Sequence, residues 1–175
     1  MRGILPALVL ALATLGGASP PESARIVVKK SERRLFVYDA HDHVTKSYRI
    51  ALGRTPLGKK REEGDGATPE GDYIVTHRNP KSRFHLSLGV SYPNASDAQD
   101  GISRGLITRA EEESIAEAAA QRARPPQHTR LGGDIFLHGG GTTSDWTEGC
   151  IALTDDDIDD LAARVPLRTP LRIVP

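Results

Sequence analysis

The 175-residue chain has a single cysteine, a single methionine, a single tryptophan and three phenylalanines. One cysteine excludes an internal disulfide framework and any multi-cysteine zinc or iron–sulfur site. Charge of one sign is also missing, since 23 Lys and Arg are balanced by 23 Asp and Glu. Nucleic acid or an anionic membrane as the main partner would call for a basic surplus, so neither is expected. There is no internal repeat and no low-complexity tract. Hydrophobic residues at 38% are enough for a core, which excludes wholesale disorder, and the length fits one domain. A lone cysteine has three uses: a small buried hydrophobe, an intermolecular link or a nucleophile.

The longest apolar run is near the N-terminus. Met1-Arg2 gives a positive start, residues 4–15 are almost wholly apolar, and Gly16-Gly17-Ala18 offers a small-residue cleavage site. The run is too short for the roughly 20 residues that span a bilayer. Pro6 and the Gly-Gly pair suit a cleaved segment better than a buried helix. Residues 1–18 therefore read as an export signal, with a mature chain from Ser19, a folded domain over 25–175 and no membrane span after cleavage. No cysteine follows the apolar run, which excludes lipid attachment there. The expected location is the periplasm or cell envelope. In that oxidising setting an odd cysteine is a dimer link or a free reactive thiol.

Residues 25–29, 33–38 and 44–52 read as strands of an antiparallel meander, with 35–38 continuous enough for burial on both sides. Residues 53–71, with five glycines, two prolines and Lys59-Lys60-Arg61, read as a loop whose basic run is solvated. Strands are expected over 72–76 and 84–90, with Pro93-Asn94 as a break. Residues 108–124 form the clearest helix: Thr108 and Glu111 have capping-box spacing, acids open it, and Arg122 and Arg124 close it before Pro125-Pro126. Ile115 is its only large aliphatic residue, which predicts shallow packing. A second helix over 154–165 begins among aspartates that lack the glycine and distal glutamate of a calcium loop. Residues 135–137 and 167–174 complete the strands.

The chemistry concentrates in 135–153. His138 ends a short buried strand, Gly139-Gly140-Gly141 follows, and Gly149-Cys150 leads into Ile151-Ala152-Leu153. A thiol needs a nearby base to act at neutral pH, and a loop of this length can return Cys150 to His138. Gly149 permits the close backbone approach that aims N–H groups at a developing oxyanion. A metal site would need more matching ligands than Asp145 and Glu148 can add, so no metal is expected. Tyr92, Ser144 and Trp146 are candidates for lining a substrate cleft, with loop anchoring an equal role for Trp146.

His138-Gly139 followed by Thr147-Glu148-Gly149-Cys150-Ile151 resembles the YkuD-type L,D-transpeptidase family. The Thr68-Pro69-Glu70-Gly71 segment, Arg78-Asn79-Pro80, Leu86-Ser87-Leu88 and Ser91-Tyr92-Pro93-Asn94 extend the likeness to most of residues 26–174. The resemblance implies a mainly β, β-sandwich-like catalytic domain with inserted helices and no cofactor. It implies Cys150 as nucleophile, His138 as general base, Gly139 orienting the histidine through its carbonyl, and backbone N–H groups of Glu148, Gly149 and Cys150 as the oxyanion hole. The partners implied are peptidoglycan stem peptides. Glu148 and Ala152 stand where many members carry histidine and arginine, which moves the chain toward the branch with Asp-Trp-Thr-x-Gly-Cys-Ile-Ala. That branch includes an amidase that releases a wall-attached lipoprotein, so transpeptidase, carboxypeptidase and amidase outcomes are all open. An inert wall-binding module and an ordinary cysteine protease with L-peptide specificity are the readings from other classes.

Overall fold

A computed structural model describes residues 23–175. The expected export signal, 1–18, lies outside them. Eight strands form one mixed sheet: β1 (Ser23–Lys29), β2 (Arg34–Asp39), β3 (Val44–Arg49), β4 (Gly71–Ser82), β5 (His85–Val90), β6 (Phe136–His138), β7 (Ile151–Ala152) and β8 (Pro170–Val174). Their order across the sheet is β3-β2-β1-β8-β4-β5-β6-β7. β1 and β8 pair in parallel, as do β6 and β7, and the other neighbours are antiparallel. The sheet curls until its two edges meet. Just past β3, Ala51 exchanges both backbone hydrogen bonds with Ala152 of β7, each at 2.9 Å. Among the described residues the arrangement is mainly β with inserted helices, as the sequence predicts.

Alternation builds the core. Ile26 and Val28 on β1, Leu35 and Val37 on β2, and Leu171 and Ile173 on β8 are all buried facing inward. The expectation that 35–38 is buried on both faces is corrected, because Phe36 and Tyr38 point outward and are half-buried. Cations cover them: Lys29 Nζ lies 5.2 Å from the Phe36 ring centre and the Arg25 guanidinium 4.2 Å from that of Tyr38. An outward aromatic under an alkyl-ammonium stem reads in sequence like a second buried face.

β4 runs to Ser82, well beyond the expected 72–76, with register irregularities at 75–78 and 79–82. That extension carries Arg83 and Phe84, in the turn to β5, toward the Gly149-Cys150 turn described below.

Among the described residues there are three helices: α1 (Ala95–Ser103), α2 (Arg109–Ala120) and α3 (Asp155–Arg164). α2 starts on the Thr108–Glu111 capping box but ends at Ala120, so Arg122 and Arg124 lie outside its last turn. The chain leaves the helix there with Arg122 at φ 51°, and the two arginines bond the Arg168 carbonyl and Asp134 instead. α1 is not apparent in the sequence. Asn94, read as a break, is its N-cap: the Asn94 side chain accepts from the Asp97 N–H, and Asp97 Oδ2 accepts from the Asn94 N–H at 2.9 Å. Nor is Ile115 shallow. It is fully buried in a second small core with Ala98, Ile107 and Leu131. Asn94→Ala is expected to destabilise the domain by about 1 kcal/mol, read from the midpoint of urea unfolding. α3 caps on Thr154 and buries Ile158, Leu161 and Ala162 against the main core.

The loop between β3 and β4 is firmly tied. The buried Lys30 donates to the Gly58 carbonyl at 2.5 Å, the Thr68 carbonyl at 3.0 Å and Glu70 Oε1 at 2.7 Å. The expectation of a solvated Lys59-Lys60-Arg61 is corrected for its first two members. Lys59 pairs with the buried Asp97 at 2.7 Å, and Lys60 is itself buried, donating to Asp65 Oδ1 and the Glu62 carbonyl, each at 2.9 Å. A local Asp-turn at Asp65 creates an ammonium socket that charge counting does not show.

Candidate active site

His138 closes β6 and is buried. Its Nδ1 lies 2.6 Å from the Gly139 carbonyl oxygen. A carbonyl only accepts, so Nδ1 carries the proton and Nε2 is the free base. The turn after His138 passes through a slot that excludes a side chain, since a Cβ on Gly139 would lie 2.4 Å from Asp155 Oδ1 and 2.8 Å from the Phe84 carbonyl. The imidazole stacks on Phe84, with centroids 4.6 Å apart and planes at 22°, and meets Trp146 edge-on at 5.5 Å. Burial holds its pKa below the ordinary histidine value, with help from the Arg83 charge and against the Gly139 carbonyl.

Cys150 is a free cysteine at the end of a tight turn. Thr147 organises that turn: its Oγ1 accepts from the Gly149 N–H at 3.1 Å and donates to the Cys150 carbonyl at 2.7 Å. Gly149 has φ 128°, and a Cβ there would lie 2.7 Å from the Ala67 carbonyl oxygen. Asp145 anchors the preceding segment. It accepts from Arg33 Nη2 at 2.7 Å and from the Leu52 N–H at 2.8 Å. Glu148 is exposed and pairs with Arg54 at 2.7 Å. Both carboxylates raised in the sequence as metal oxygens are thus engaged by arginines. Among the described residues no group of three or more His, Cys, Asp or Glu could hold a metal ion.

The Cys150 Sγ lies 3.5 Å from the Asp134 carbonyl, to which the thiol donates. Burial pushes its pKa up to about 11, with the Asp134 charge adding to it. The Phe136 N–H, Lys60 and Arg83 pull the other way without reversing the shift. The resting pair is therefore a neutral thiol and a neutral imidazole.

Cys150 and His138 border two adjoining clefts, of about 590 and 400 Å³. Arg83, Phe84 and Asp134 also border both. The larger cleft adds Trp146, Arg54, Lys60 and Glu148, and the smaller adds Asn79, Lys81 and Ser87. Trp146 borders the larger cleft and is tied to its own loop, its Nε1–H donating to the Gly141 carbonyl at 3.1 Å. Tyr92 borders neither of these clefts. It is buried, its ring 6.1 Å from that of Tyr73 and its hydroxyl donating to the Leu131 carbonyl at 3.0 Å. A satisfied hydroxyl lets a tyrosine serve as core. Ser144 is exposed and borders neither cleft. Of the three N–H groups assigned to an oxyanion hole, that of Gly149 is used by Thr147, which leaves Glu148 and Cys150 as candidates. Sequence reasoning missed Arg83, Phe84 and Asp134. They reach the cysteine only through the long β4–β5 hairpin and the turn before β6, and no spacing in the chain announces either.

The fold and the site together define a mainly β domain that carries a cysteine and a histidine on the walls of two shared clefts. Residues 23–173 match the YkuD L,D-transpeptidase catalytic domain, and the chain belongs to that family. YafK of Escherichia coli (strain K12), which bears an L,D-transpeptidase name, is 33% identical over 81 residues, covering 43% of this chain and 33% of YafK. Among solved structures, Bd1075 of Bdellovibrio bacteriovorus matches 87% of this chain and 48% of its own at a TM-score of 0.56 and 24% identity. The helical cell shape determining protein Pgp2 (K307A mutant) of Campylobacter jejuni matches 86% of this chain and 46% of its own at 0.61 and 22%. These two share the fold. The chain spans less than half the length of each of these relatives.

Proposed function

We propose that this protein is an exported cysteine acyl-enzyme acting on peptidoglycan stem peptides as an L,D-transpeptidase. The observation that carries the reading is the shared cleft of Cys150 and His138, with His138 Nδ1 pinned so that Nε2 is the base. In the mechanism, His138 Nε2 takes the thiol proton as Sγ attacks a stem-peptide carbonyl. The N–H groups of Glu148 and Cys150 hold the oxyanion. The imidazolium returns its proton to the leaving amine as the C–N bond breaks, and a thioester remains on Cys150. An amine that attacks the thioester gives a new cross-link. Water gives carboxypeptidase or amidase products, including release of a wall-attached lipoprotein. Export to the periplasm or envelope follows from the reading of residues 1–18. Among the described residues no helix is long and apolar enough to cross a membrane.

The test is incubation of the protein with purified sacculi, with and without attached lipoprotein, and mass spectrometry of the muropeptides. New cross-links support transpeptidation, whereas lost stem residues or freed lipoprotein support the hydrolytic outcomes. Unaltered muropeptides would overturn acyl chemistry altogether.

The resting protonation state is separately measurable. With the thiol near 11, on the order of one molecule in 10⁴ is thiolate at pH 7. Alkylation of Cys150 by iodoacetamide is expected to rise about tenfold per pH unit between pH 7 and 10. Turnover should fall only below pH 6.5, where the depressed His138 at last protonates and ceases to be a base. A flat alkylation rate from pH 6 to 9 would instead show a preformed thiolate–imidazolium pair.

A further inference from the structure

Arg83 stands out among the charges around the two clefts. Arg54 is paired with Glu148, Lys60 with Asp65 and Asp134 with Arg124. Arg83 makes no ion pair among the described residues, and neither does Lys81, its neighbour on the wall of the smaller cleft. The larger cleft also carries Glu63, an acid without a cation partner. The smaller cleft has no such acid, so it is the one with uncompensated positive charge. Its walls also include the neutral Asn79, Ser82 and Ser87 and the Asp134 already paired with Arg124.

The arginine is also held in register with the base. Its guanidinium lies over the Phe84 ring, 4.7 Å from the centroid, and the same ring stacks on His138 at 4.6 Å. Guanidinium and imidazole thus both rest against one phenyl ring, carried by the turn at the end of the long β4–β5 hairpin. A planar fork of donors, fixed beside the nucleophile and facing a polar pocket, is a geometry suited to a carboxylate.

We propose that Arg83, assisted by Lys81, is a specificity-determining residue that binds a free carboxylate of the stem peptide next to the bond that Cys150 attacks. The carboxylate meant is that of the terminal residue on the leaving side of the bond. The inference rests on the acyl-transfer reading for the identity of the peptide, but its test needs no turnover.

The experiment uses the full chain carrying Cys150→Ala, so that peptide binds without reacting. Calorimetry compares a stem tetrapeptide ending in a free D-alanine carboxylate with the same peptide capped as a carboxamide. The acid is expected to bind at least about tenfold more tightly than the amide. Adding Arg83→Gln should weaken the acid until the two agree within about twofold, leaving the amide unchanged. Arg83→Lys should keep part of the preference, because it keeps a point charge without the fork. Equal affinity for acid and amide when Arg83 is present would overturn the proposal. So would equal weakening of both peptides by Arg83→Gln, or no binding of either. Failure of the acyl-transfer reading shows up elsewhere, as unaltered sacculi with the Cys150-bearing chain.

Discussion

Cys150→Ala is expected to lower muropeptide product formation by at least about 10⁴-fold, to the background of the assay. Without the sulfur no thioester forms, and His138 acting on water alone has no route to a covalent intermediate. The fold should not change. The thiol makes a single long hydrogen bond, to the Asp134 carbonyl at 3.5 Å, and the turn is held by Thr147 and Asp145 rather than by Cys150. A melting temperature within about 4 °C of the parent is the expected control. The pair of readouts separates the readings. No products from either protein would leave a wall-binding module as the function, and products undiminished by the variant would rule out Cys150 as the nucleophile. Loss of activity on an all-L peptide, with none on sacculi in either protein, would indicate an ordinary cysteine protease.

Lys30→Met should be the largest stability loss outside the apolar core. It strips the ammonium from two carbonyls and from Glu70, in a place where Lys30 is only 2% exposed. Breaking a buried pair from one side costs about 3–5 kcal/mol, because the remaining charge is left without compensation. The Glu70 side chain retains 18% exposure, which places the expectation near about 3 kcal/mol. Urea unfolding measures it, and a loss below about 1 kcal/mol would show that water replaces the ammonium. The double variant Lys30→Met with Glu70→Gln should recover part of the loss, since the uncompensated charge is then gone. Activity should fall as well. Lys30 fixes Thr68, whose Oγ1 accepts from the Gly53 N–H at 3.0 Å, and neighbouring Ala67 packs directly against Gly149.

What could be read from the chain divides along physical lines. The core strands show themselves because alternation is a local property, and the Thr108 and Thr154 caps because the capping residue lies beside the helix it starts. Cys150 and His138 are visible because their chemistry depends on residue type and on nearby glycines. What stays hidden depends on distant partners. Lys60 looks solvated until Asp65 folds back on it. Tyr92 looks like a cleft residue until the Leu131 carbonyl meets its hydroxyl. Asn94 looks like a break because its capping partner, Asp97, is an aspartate rather than the usual glutamate or glutamine. Arg83 lies in a hairpin turn, and only the full length of β4 shows that the turn ends beside Cys150.

The seam at Ala51 and Ala152 has a consequence for when the protein becomes competent. Those residues are about 100 positions apart, and Gly53 and Thr147 form a second bridge beside them. Cys150 sits between the two contacts that join the sheet's edges. Contacts of such long sequence separation close late, because loop entropy must be overcome before they are rewarded. A chain still threading or half-collapsed therefore carries the thiol but no aligned base or N–H pair around it. The arrangement of Cys150, His138 and the surrounding N–H groups therefore arrives with the last step of folding, at the same seam whose closure buries the thiol and raises its pKa.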